Sequence, residues 1–291
     1  MKVDIAVALG GGGARGFAHI GVLRVLEREG FRVRAIAGTS MGGVIASVYA
    51  AGYSPDEIEQ RAARMPLTDL LKSRPRGPAI FGLARIEAFL REQLGERTFA
   101  DLRCPLALTA TDLGESKEVV LMDGVVVDAV LATIALPGIF PPKLLGEHRL
   151  LDGGVVDPVP VRPARSLFAG PVVAVALSPP PERWASSRSP VSLGIPFLGV
   201  VTRLRVAEAL TVVLRAIEIT TRSMTELRLE VDRPEVVIRP AVAHIGLLEA
   251  ASVAEIAALG ERAAVDALPQ LKGLASPTGR MRRWFRRRLG A

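Results

Sequence analysis

Residues 3–50 read VDIAVALGGGGARGFAHIGVLRVLEREGFRVRAIAGTSMGGVIASVYA. An apolar run at residues 3–9 ends in glycines, and apolar residues then recur at helical spacing from Phe17 to Glu27. A second apolar run at residues 33–37 leads into G-T-S-M-G-G at residues 38–43, and another helical pattern follows it. This repeated strand, turn and helix order predicts a three-layer α/β/α fold, with helices on both faces of a mostly parallel central sheet.

The motif at residues 38–43 has the form G-x-S-x-G, with Ser40 between Gly38 and Gly42. In such an elbow the glycines allow a strand to turn sharply into a helix. The serine hydroxyl then stands above the sheet, at the positive end of that helix. The motif therefore predicts Ser40 as a nucleophile.

A run of glycines lies one strand and one helix earlier, and it includes Gly11, Gly12 and Gly13. Backbone N–H groups without side chains can stabilise the tetrahedral oxyanion that forms when a serine attacks an ester carbonyl. The spacing of Gly11, Gly13 and Gly16 also fits a dinucleotide-binding fingerprint, but no acidic residue ends the second strand to hold a ribose. We therefore expect an oxyanion site and no organic cofactor.

Asp152 follows a short apolar strand and precedes Gly153 and Gly154. Loops at the ends of strands carry the active-site residues of α/β sheets, so this position suits a catalytic base. Taken alone, Asp-Gly-Gly is more often a hairpin turn, because both residue types are common in turns. The combination with the two earlier motifs favours Asp152 as the base that serves Ser40.

The three motifs together resemble those of the patatin-like phospholipases, acyl hydrolases that use a Ser-Asp dyad. The similarity extends to residues 132–142 and to Pro-Val-Pro at residues 158–160, and it covers roughly residues 3–265. Thr133 stands where the family often has a serine, and it keeps the hydroxyl. The resemblance implies Ser40 as the nucleophile and Asp152 as the base. It also implies an oxyanion-binding set, which consists of Gly11, Gly12 and Gly13 as donors and of Arg15, the arginine of the loop.

Two alternatives to a dyad hydrolase stay open. The chain order Ser40, Asp152, His244 is that of an α/β-hydrolase triad, although such enzymes build several strands before the elbow and this chain has one before the serine's own strand. A protein of the same fold could also bind lipid without turnover. Reaction of Ser40 with a fluorophosphonate would separate that class from an enzyme.

The length and composition bound the remaining possibilities. At 291 residues the chain can bury a sizeable core, and we expect an acyl hydrolase domain over residues 1–270 and a tail over residues 271–291. The hydrophobic fraction of 49% with 4% aromatic residues fits an α/β domain. Three histidines and the single cysteine, Cys104, show no zinc-binding spacing, so we expect no metal.

The compartment is predicted from cysteine usage and from the absence of targeting signals. One cysteine permits no intramolecular disulfide, which suits a reducing compartment. The N-terminus lacks a cleavable apolar region, and the longest uncharged stretch is interrupted by glycines and the elbow. We expect a cytoplasmic protein that can lie peripherally at the inner face of the membrane.

The C-terminal tail holds most of the excess positive charge. Six of the seven net positive charges fall within Arg280–Arg288. Met281, Trp284, Phe285 and Leu289 would share one face if this segment were helical. The pattern favours contact with an anionic membrane over a solvated tail, and nucleic acid is not an expected partner.

Two further segments carry structural predictions. The segment from Arg61 to Ala100 contains an amphipathic helix near Ile86–Leu94, and it could form a lid over the serine or a plain surface connection. Residues 197–224 are predicted to be mostly helical. The predicted core face of that helix consists of Leu204, Leu210, Val213, Leu214 and Ile217.

Overall fold

The computed structural model describes residues 3–64, 69, 73, 79–184 and 201–276, and only the backbone of residues 201–211. The charged part of the predicted tail, Arg280–Arg288, therefore lies outside the described residues. The strands are β1 (Val3–Leu9), β2 (Phe31–Thr39), β3 (Leu106–Asp112), β4 (Lys117–Leu121), β5 (Lys143–Leu145), β6 (His148–Asp152), β7 (Val172–Val175) and β8 (Val236–Ile238). The α-helices are α1 (Ala18–Arg28), α2 (Met41–Ala50), α3 (Pro55–Arg64), α4 (Ala84–Leu94), α5 (Val126–Thr133), α6 (Val161–Leu167), α7 (Val201–Asp232), α8 (Val253–Asp266) and α9 (Leu268–Gly273).

All of these strands belong to one sheet, in the order β5-β6-β3-β2-β1-β7-β8, with β4 also paired to β3. The five strands from β3 to β8 in this order run parallel. Strands β4, β5 and β6 pair in antiparallel fashion. The mostly parallel α/β sheet predicted from the sequence is confirmed.

The two faces of the sheet have different cores, because side chains alternate along each strand. In β1, Ile5, Val7 and Leu9 belong to the large core that includes residues of α1, α2 and α5. Ala6 and Ala8 face the other way, into a core of small side chains under α6 and the C-terminal part of α7. The small residues on this second face let helices lie close to the strands.

The edges of β3 bring two distant parts of the chain together. Strand β4 pairs along one edge, from Leu108 to Asp112. Along the opposite edge β2 pairs up to Thr109, and β6 takes over from Ala110 to Asp112. The last residue of β2 and the last residue of β6 therefore meet end to end, which places Ser40 next to Asp152.

None of the helices in the described part of the chain combines the length and the apolar character that crossing a bilayer requires.

Candidate active site

Ser40 lies at a strained turn between β2 and α2. Its φ angle is +55°, a conformation that residues with side chains rarely adopt. Its backbone N–H donates to Oγ1 of Thr133 over 2.9 Å, and the Thr133 hydroxyl donates to the carbonyl oxygen of Thr109 over 2.6 Å. A side chain at Gly42 would collide with the carbonyl of Leu9, so the elbow requires glycine there. These contacts hold Ser40 in the strained conformation.

Asp152 is buried beside Ser40. Its Oδ1 accepts a hydrogen bond of 2.8 Å from the Gly154 N–H. Burial raises the pKa of this carboxyl group to about 6, while interactions with the Ser40 side chain and the Gly154 N–H oppose the shift. A side chain at Gly153 would collide with Thr109, so this glycine lets the loop approach β3 closely. The arrangement provides a carboxyl group able to exchange a proton near neutral pH.

The glycine loop places two free backbone donors near Ser40. Gly13 has a φ angle of +56°, and a side chain there would collide with the Leu247 carbonyl. In the described part of the chain the N–H groups of Gly12 and Gly13 have no hydrogen-bond partner. The Gly11 N–H, in contrast, donates to the carbonyl oxygen of Pro158 over 2.9 Å. This corrects the expectation that Gly11 is an oxyanion donor, since its N–H is already engaged.

Arg15 is also engaged elsewhere, although it borders the cavity. Its buried side chain donates from Nε to the Ile245 carbonyl over 2.6 Å and forms a 3.0 Å ion pair with Glu218 of α7. Arg15 was expected among the oxyanion-binding residues, but its side chain is engaged with Ile245 and Glu218. Arg15 instead joins the glycine loop to α7.

The three histidines lie in three different environments. Nε2 of His19 lies 2.7 Å from the Gly10 carbonyl oxygen, and burial lowers the pKa of His19 to about 4, so a neutral ring donates to the start of the glycine loop. His148 lies 2.5 Å from the Asp112 carboxylate, and His244 is exposed. Among the described residues, the cavity wall beside Ser40 contains no histidine.

A cavity of about 220 Å³ opens over Ser40 and Asp152. The glycine loop forms part of its floor, and most of its walls are apolar. Helices α2, α3 and α4 form one wall, and α7 forms another. Representative wall residues are Val44, Val48, Ile58, Phe89, Leu214 and Ile217. The site can therefore accept an apolar chain that extends from a group held at Ser40.

The segment from Arg61 to Ala100 contributes to this wall. Helix α4 confirms the amphipathic helix predicted near Ile86–Leu94, and its buried face includes Ile86 and Leu90. Residues 65–68, 70–72 and 74–78 lie outside the described part, and a lid movement of the segment stays a prediction.

Three features of the site were not predicted from the sequence. They are the partner of the Gly11 N–H, the ion pair between Arg15 and Glu218, and the cavity wall supplied by α7. The Pro-Val-Pro sequence after the aspartate was a partial signal for the first, because it includes Pro158. Glu218 carried no recognisable local motif, since its partner Arg15 is distant in the sequence.

Within the described residues, no group of three or more His, Cys, Asp or Glu side chains is arranged to hold a metal ion.

The structure combines a mostly parallel sheet, a strained serine at a strand–helix elbow and a buried aspartate beside that serine. These features place the protein in the class of α/β proteins that have a nucleophile elbow. The chain belongs to the patatin-like phospholipase family, whose model matches residues 7–165.

Similar proteins include an NTE family protein of Mycobacterium tuberculosis that is described as uncharacterized, 37% identical over 177 residues. That match spans 60% of this chain and 49% of the mycobacterial protein, so the chain spans about half the length of this relative. Patatin-like phospholipase domain-containing protein 6 of Homo sapiens is 34% identical over 182 residues, which are 59% of this chain and 13% of the human protein. VipD from Legionella pneumophila has a similar fold, with a TM-score of 0.55, 11% identity, and coverage of 92% of this chain and 67% of VipD.

Proposed function

We propose that this protein hydrolyses carboxylic esters of lipids, with Ser40 as the nucleophile and Asp152 as the base. One observation carries the proposal: Ser40, which follows β2, and the buried Asp152, which ends β6, lie side by side at the wall of one apolar cavity. A pKa near 6 for Asp152 means that most of this carboxyl group is ionised at neutral pH. It is therefore available to accept a proton.

In the first half of the proposed reaction, Asp152 accepts the Ser40 hydroxyl proton while Oγ attacks the acyl carbonyl carbon. The negative charge moves to the carbonyl oxygen, where the free N–H groups of Gly12 and Gly13 are available to donate hydrogen bonds. Collapse of the tetrahedral intermediate breaks the ester bond. The departing alkoxide oxygen takes the proton back from Asp152 and leaves as an alcohol, while the acyl group remains on Ser40.

In the second half, a water molecule repeats the attack on the acyl group. Asp152 accepts a proton from this water as its oxygen bonds to the carbonyl carbon. The second tetrahedral intermediate then expels the Ser40 oxygen, which takes the proton from Asp152. A carboxylic acid is released, and both residues return to their starting states.

The apolar walls of the cavity support a lipid as the source of the acyl group. Side chains of α2, α4 and α7 would surround an acyl chain and exclude water from the ester. We propose activity of the phospholipase A or lysophospholipase type.

The triad alternative is less well supported by the geometry. His244 is exposed, and the pKa of Asp152 responds to burial, Ser40 and Gly154 without a histidine contribution. Mutation of His244 provides the direct comparison. If a folded His244→Ala protein were as inactive as Ser40→Ala, the triad would replace the dyad.

We also propose that Arg280–Arg288 attract the protein to an anionic membrane. Binding of this segment to nucleic acid instead of to vesicles would contradict the proposal. This segment lies outside the described residues, and the proposal depends on its charge and its aromatic residues. A peripheral position at the inner face of the membrane would follow for a cytoplasmic protein.

The proposed function is tested by a labelling and turnover experiment on the full chain. A fluorophosphonate should label the wild-type protein and leave Ser40→Ala unlabelled. The wild type should hydrolyse members of a panel of phospholipids, lysophospholipids and soluble short-chain esters, and His244→Ala should keep substantial activity. Lipid binding with neither labelling nor turnover would support the non-catalytic alternative.

A further inference from the structure

Helix α7 exposes an apolar face to solvent along most of its described length. The exposed large hydrophobic residues are Val212, Val213, Ile219, Leu227 and Val231. The other exposed positions between Val212 and Val231 are Ala216, Thr220 and Ser223, which are uncharged, and Glu230, which places one charge near the C-terminal end of the face. At a rise of about 1.5 Å per residue, this face extends over roughly 28 Å. We call it the α7 outer face.

Three charged side chains of α7 point in the opposite direction. Glu218 pairs with Arg15 of the glycine loop, Glu226 pairs with Arg239, and Arg228 pairs with Glu118 of β4. A surface helix ordinarily directs its apolar stripe inward and its charges toward water. Here the charges hold the helix to the protein and the apolar stripe faces outward, which suits a helix whose outer side contacts an apolar medium.

The inner side of α7 is a wall of the candidate active site. Leu214, Ile217 and Thr221 line the cavity that contains Ser40. The helix therefore separates that cavity from whatever contacts the α7 outer face. A substrate with acyl chains is supplied from an aggregated lipid phase. Contact on the outer side of α7 would therefore leave only this helix between the cavity and the lipid.

The size of the α7 outer face argues against a second copy of the chain as its partner. A fully exposed aliphatic side chain contributes about 100 Å² of apolar surface, so the five partly exposed side chains contribute on the order of 300 Å². A stable protein interface buries about 800 Å² on each partner. A narrow stripe on one helix is instead the form used by helices that lie in the interfacial plane of a membrane.

The charge around the stripe also fits a lipid surface. Arg215 lies three residues after Val212 and four before Ile219, and its side chain is 39% exposed although it also pairs with Glu218. Arg233 is exposed just after the C-terminal end of α7. A stripe that is uncharged from Val212 to Leu227, with arginines near its border, matches an acyl region bounded by phosphate head groups.

We infer that the α7 outer face docks the protein on a phospholipid surface. This inference depends on the proposed function only for the nature of the substrate, because the binding itself is independent of turnover. It also differs from the proposal for the Arg280–Arg288 segment. Docking through an apolar face should occur on neutral vesicles and resist salt, whereas attraction through arginines requires anionic lipid and weakens with salt.

The test compares full-length proteins that carry Ser40→Ala, so that the vesicles are not hydrolysed. Flotation with phosphatidylcholine vesicles, with and without one quarter phosphatidylglycerol, measures binding. Ile219→Gln combined with Leu227→Gln removes two residues that are 60% and 54% exposed and lie outside the cavity wall. Glutamine keeps the helix, because its helix propensity is high. Leu144→Gln, at a β5 residue that is 67% exposed, is the matched control.

We expect the double variant to bind both kinds of vesicle at least about tenfold more weakly, while Leu144→Gln binds like the parent. With Ser40 restored, the double variant should hydrolyse a soluble short-chain ester at the wild-type rate. Absence of all turnover in the wild type, with vesicle binding intact, would overturn the proposed function and leave the docking inference standing.

A second measurement covers the case in which the double variant does not fold. An environment-sensitive dye is attached to the new cysteine of Ile219→Cys in a Cys104→Ser background. Its emission should shift to the blue when phosphatidylcholine vesicles are added. The docking inference is wrong if the dye emission does not change, or if the folded double variant binds vesicles as tightly as the parent. A dimer that the double variant abolishes without any change in vesicle binding would assign the face to a second copy.

Discussion

The hydroxyl oxygen of Thr133 lies 2.9 Å from the backbone nitrogen of Ser40 and accepts its N–H hydrogen bond. The same hydroxyl donates to the Thr109 carbonyl, so α5, β3 and the elbow share one polar contact within a buried region. Since Ser40 has a positive φ angle, this contact offsets part of the local strain. A residue at the end of α5 thereby orients a residue at the end of β2.

Replacement of Thr133 should affect the rate more than binding. Thr133→Val keeps the volume and removes the hydroxyl, so the Ser40 N–H loses its acceptor, and we expect kcat to fall by about tenfold or more with KM for a soluble ester nearly unchanged. Thr133→Ser keeps the hydroxyl and should retain most of the activity. Equal loss in both variants would indicate that the threonine methyl group, rather than the hydroxyl, matters.

The pH dependence of hydrolysis should follow Asp152. The pKa of this carboxyl group is raised to about 6 by burial, and in the proposed reaction its ionised form is the one that accepts the Ser40 proton. We therefore expect kcat/KM for a soluble ester to be level above about pH 7 and to fall roughly tenfold per pH unit well below pH 6. The kcat/KM of Asp152→Asn for this ester should be lower than that of the wild type by several orders of magnitude at every pH. A level profile down to pH 4.5 would contradict the assignment of Asp152 as the base.

Gly12→Ala should impair the proposed oxyanion site without strain in the backbone. The φ angle of Gly12 is extended, and the new methyl group would lie 2.6 Å from Cδ1 of Leu177, so the loop and Leu177 must shift. We expect kcat to fall by about tenfold or more, with a smaller change in KM. Gly273→Ala is the matched control, since a methyl group there meets no atom within 4 Å. An unchanged kcat in Gly12→Ala would exclude this N–H from catalysis.

Asp157 should make stability depend on pH. Burial raises its pKa well above the usual range, and Glu118 and Asp232 raise it further, while Arg228 opposes them. The folded state thus keeps a proton that the unfolded chain releases near pH 4. The resulting stability is fully present below about pH 4 and is lost as pH rises through the raised folded-state pKa.

Asp157→Asn resembles the protonated form and should remove this loss. In urea titrations we expect the variant and the wild type to have similar stabilities near pH 4, with the variant becoming the more stable as pH rises. Its activity on a soluble ester at neutral pH should be retained. Parallel stability curves for the two proteins would show that Asp157 ionises at its ordinary pKa.

Removal of the arginine-rich segment should weaken attraction to anionic lipid alone. A chain ending at Thr278 lacks Arg280–Arg288 and should bind vesicles containing phosphatidylglycerol more weakly, with no change on phosphatidylcholine. It should hydrolyse a soluble ester at the full-length rate. Salt should weaken the anionic binding of the full chain, because the Debye length is about 8 Å at physiological ionic strength. If the truncated and full-length proteins bind anionic vesicles equally well, the arginine-rich segment does not contact the membrane.

Local sequence determined the parts of the protein that depend on neighbouring residues. The strand, turn and helix order, the elbow at Ser40 and the helix near Ile86–Leu94 follow from spacing and from glycine, and the structure contains all three. Periodicity and backbone freedom are local properties, so a sequence alone can reveal them.

Other predictions failed where the outcome depends on residues distant in the chain. Val213 shares the apolar pattern of its helix and was expected in the core, but it lies on the α7 outer face. Gly11 resembles its neighbours in the loop, yet the Pro158 carbonyl occupies its N–H. Arg15 pairs with Glu218, which has no motif around it.

The proximity of Ser40 and Asp152 depends on both the local sequence and the tertiary structure. Their motifs identify the two residues, but their proximity requires β6 to continue along the edge of β3 where β2 ends. Strand order and direction are set by packing and pairing over the whole sheet, not by the residues around either motif. The sequence therefore determined which groups are available for chemistry, and the tertiary structure decided which of their hydrogen-bonding atoms are free and which apolar surfaces are covered.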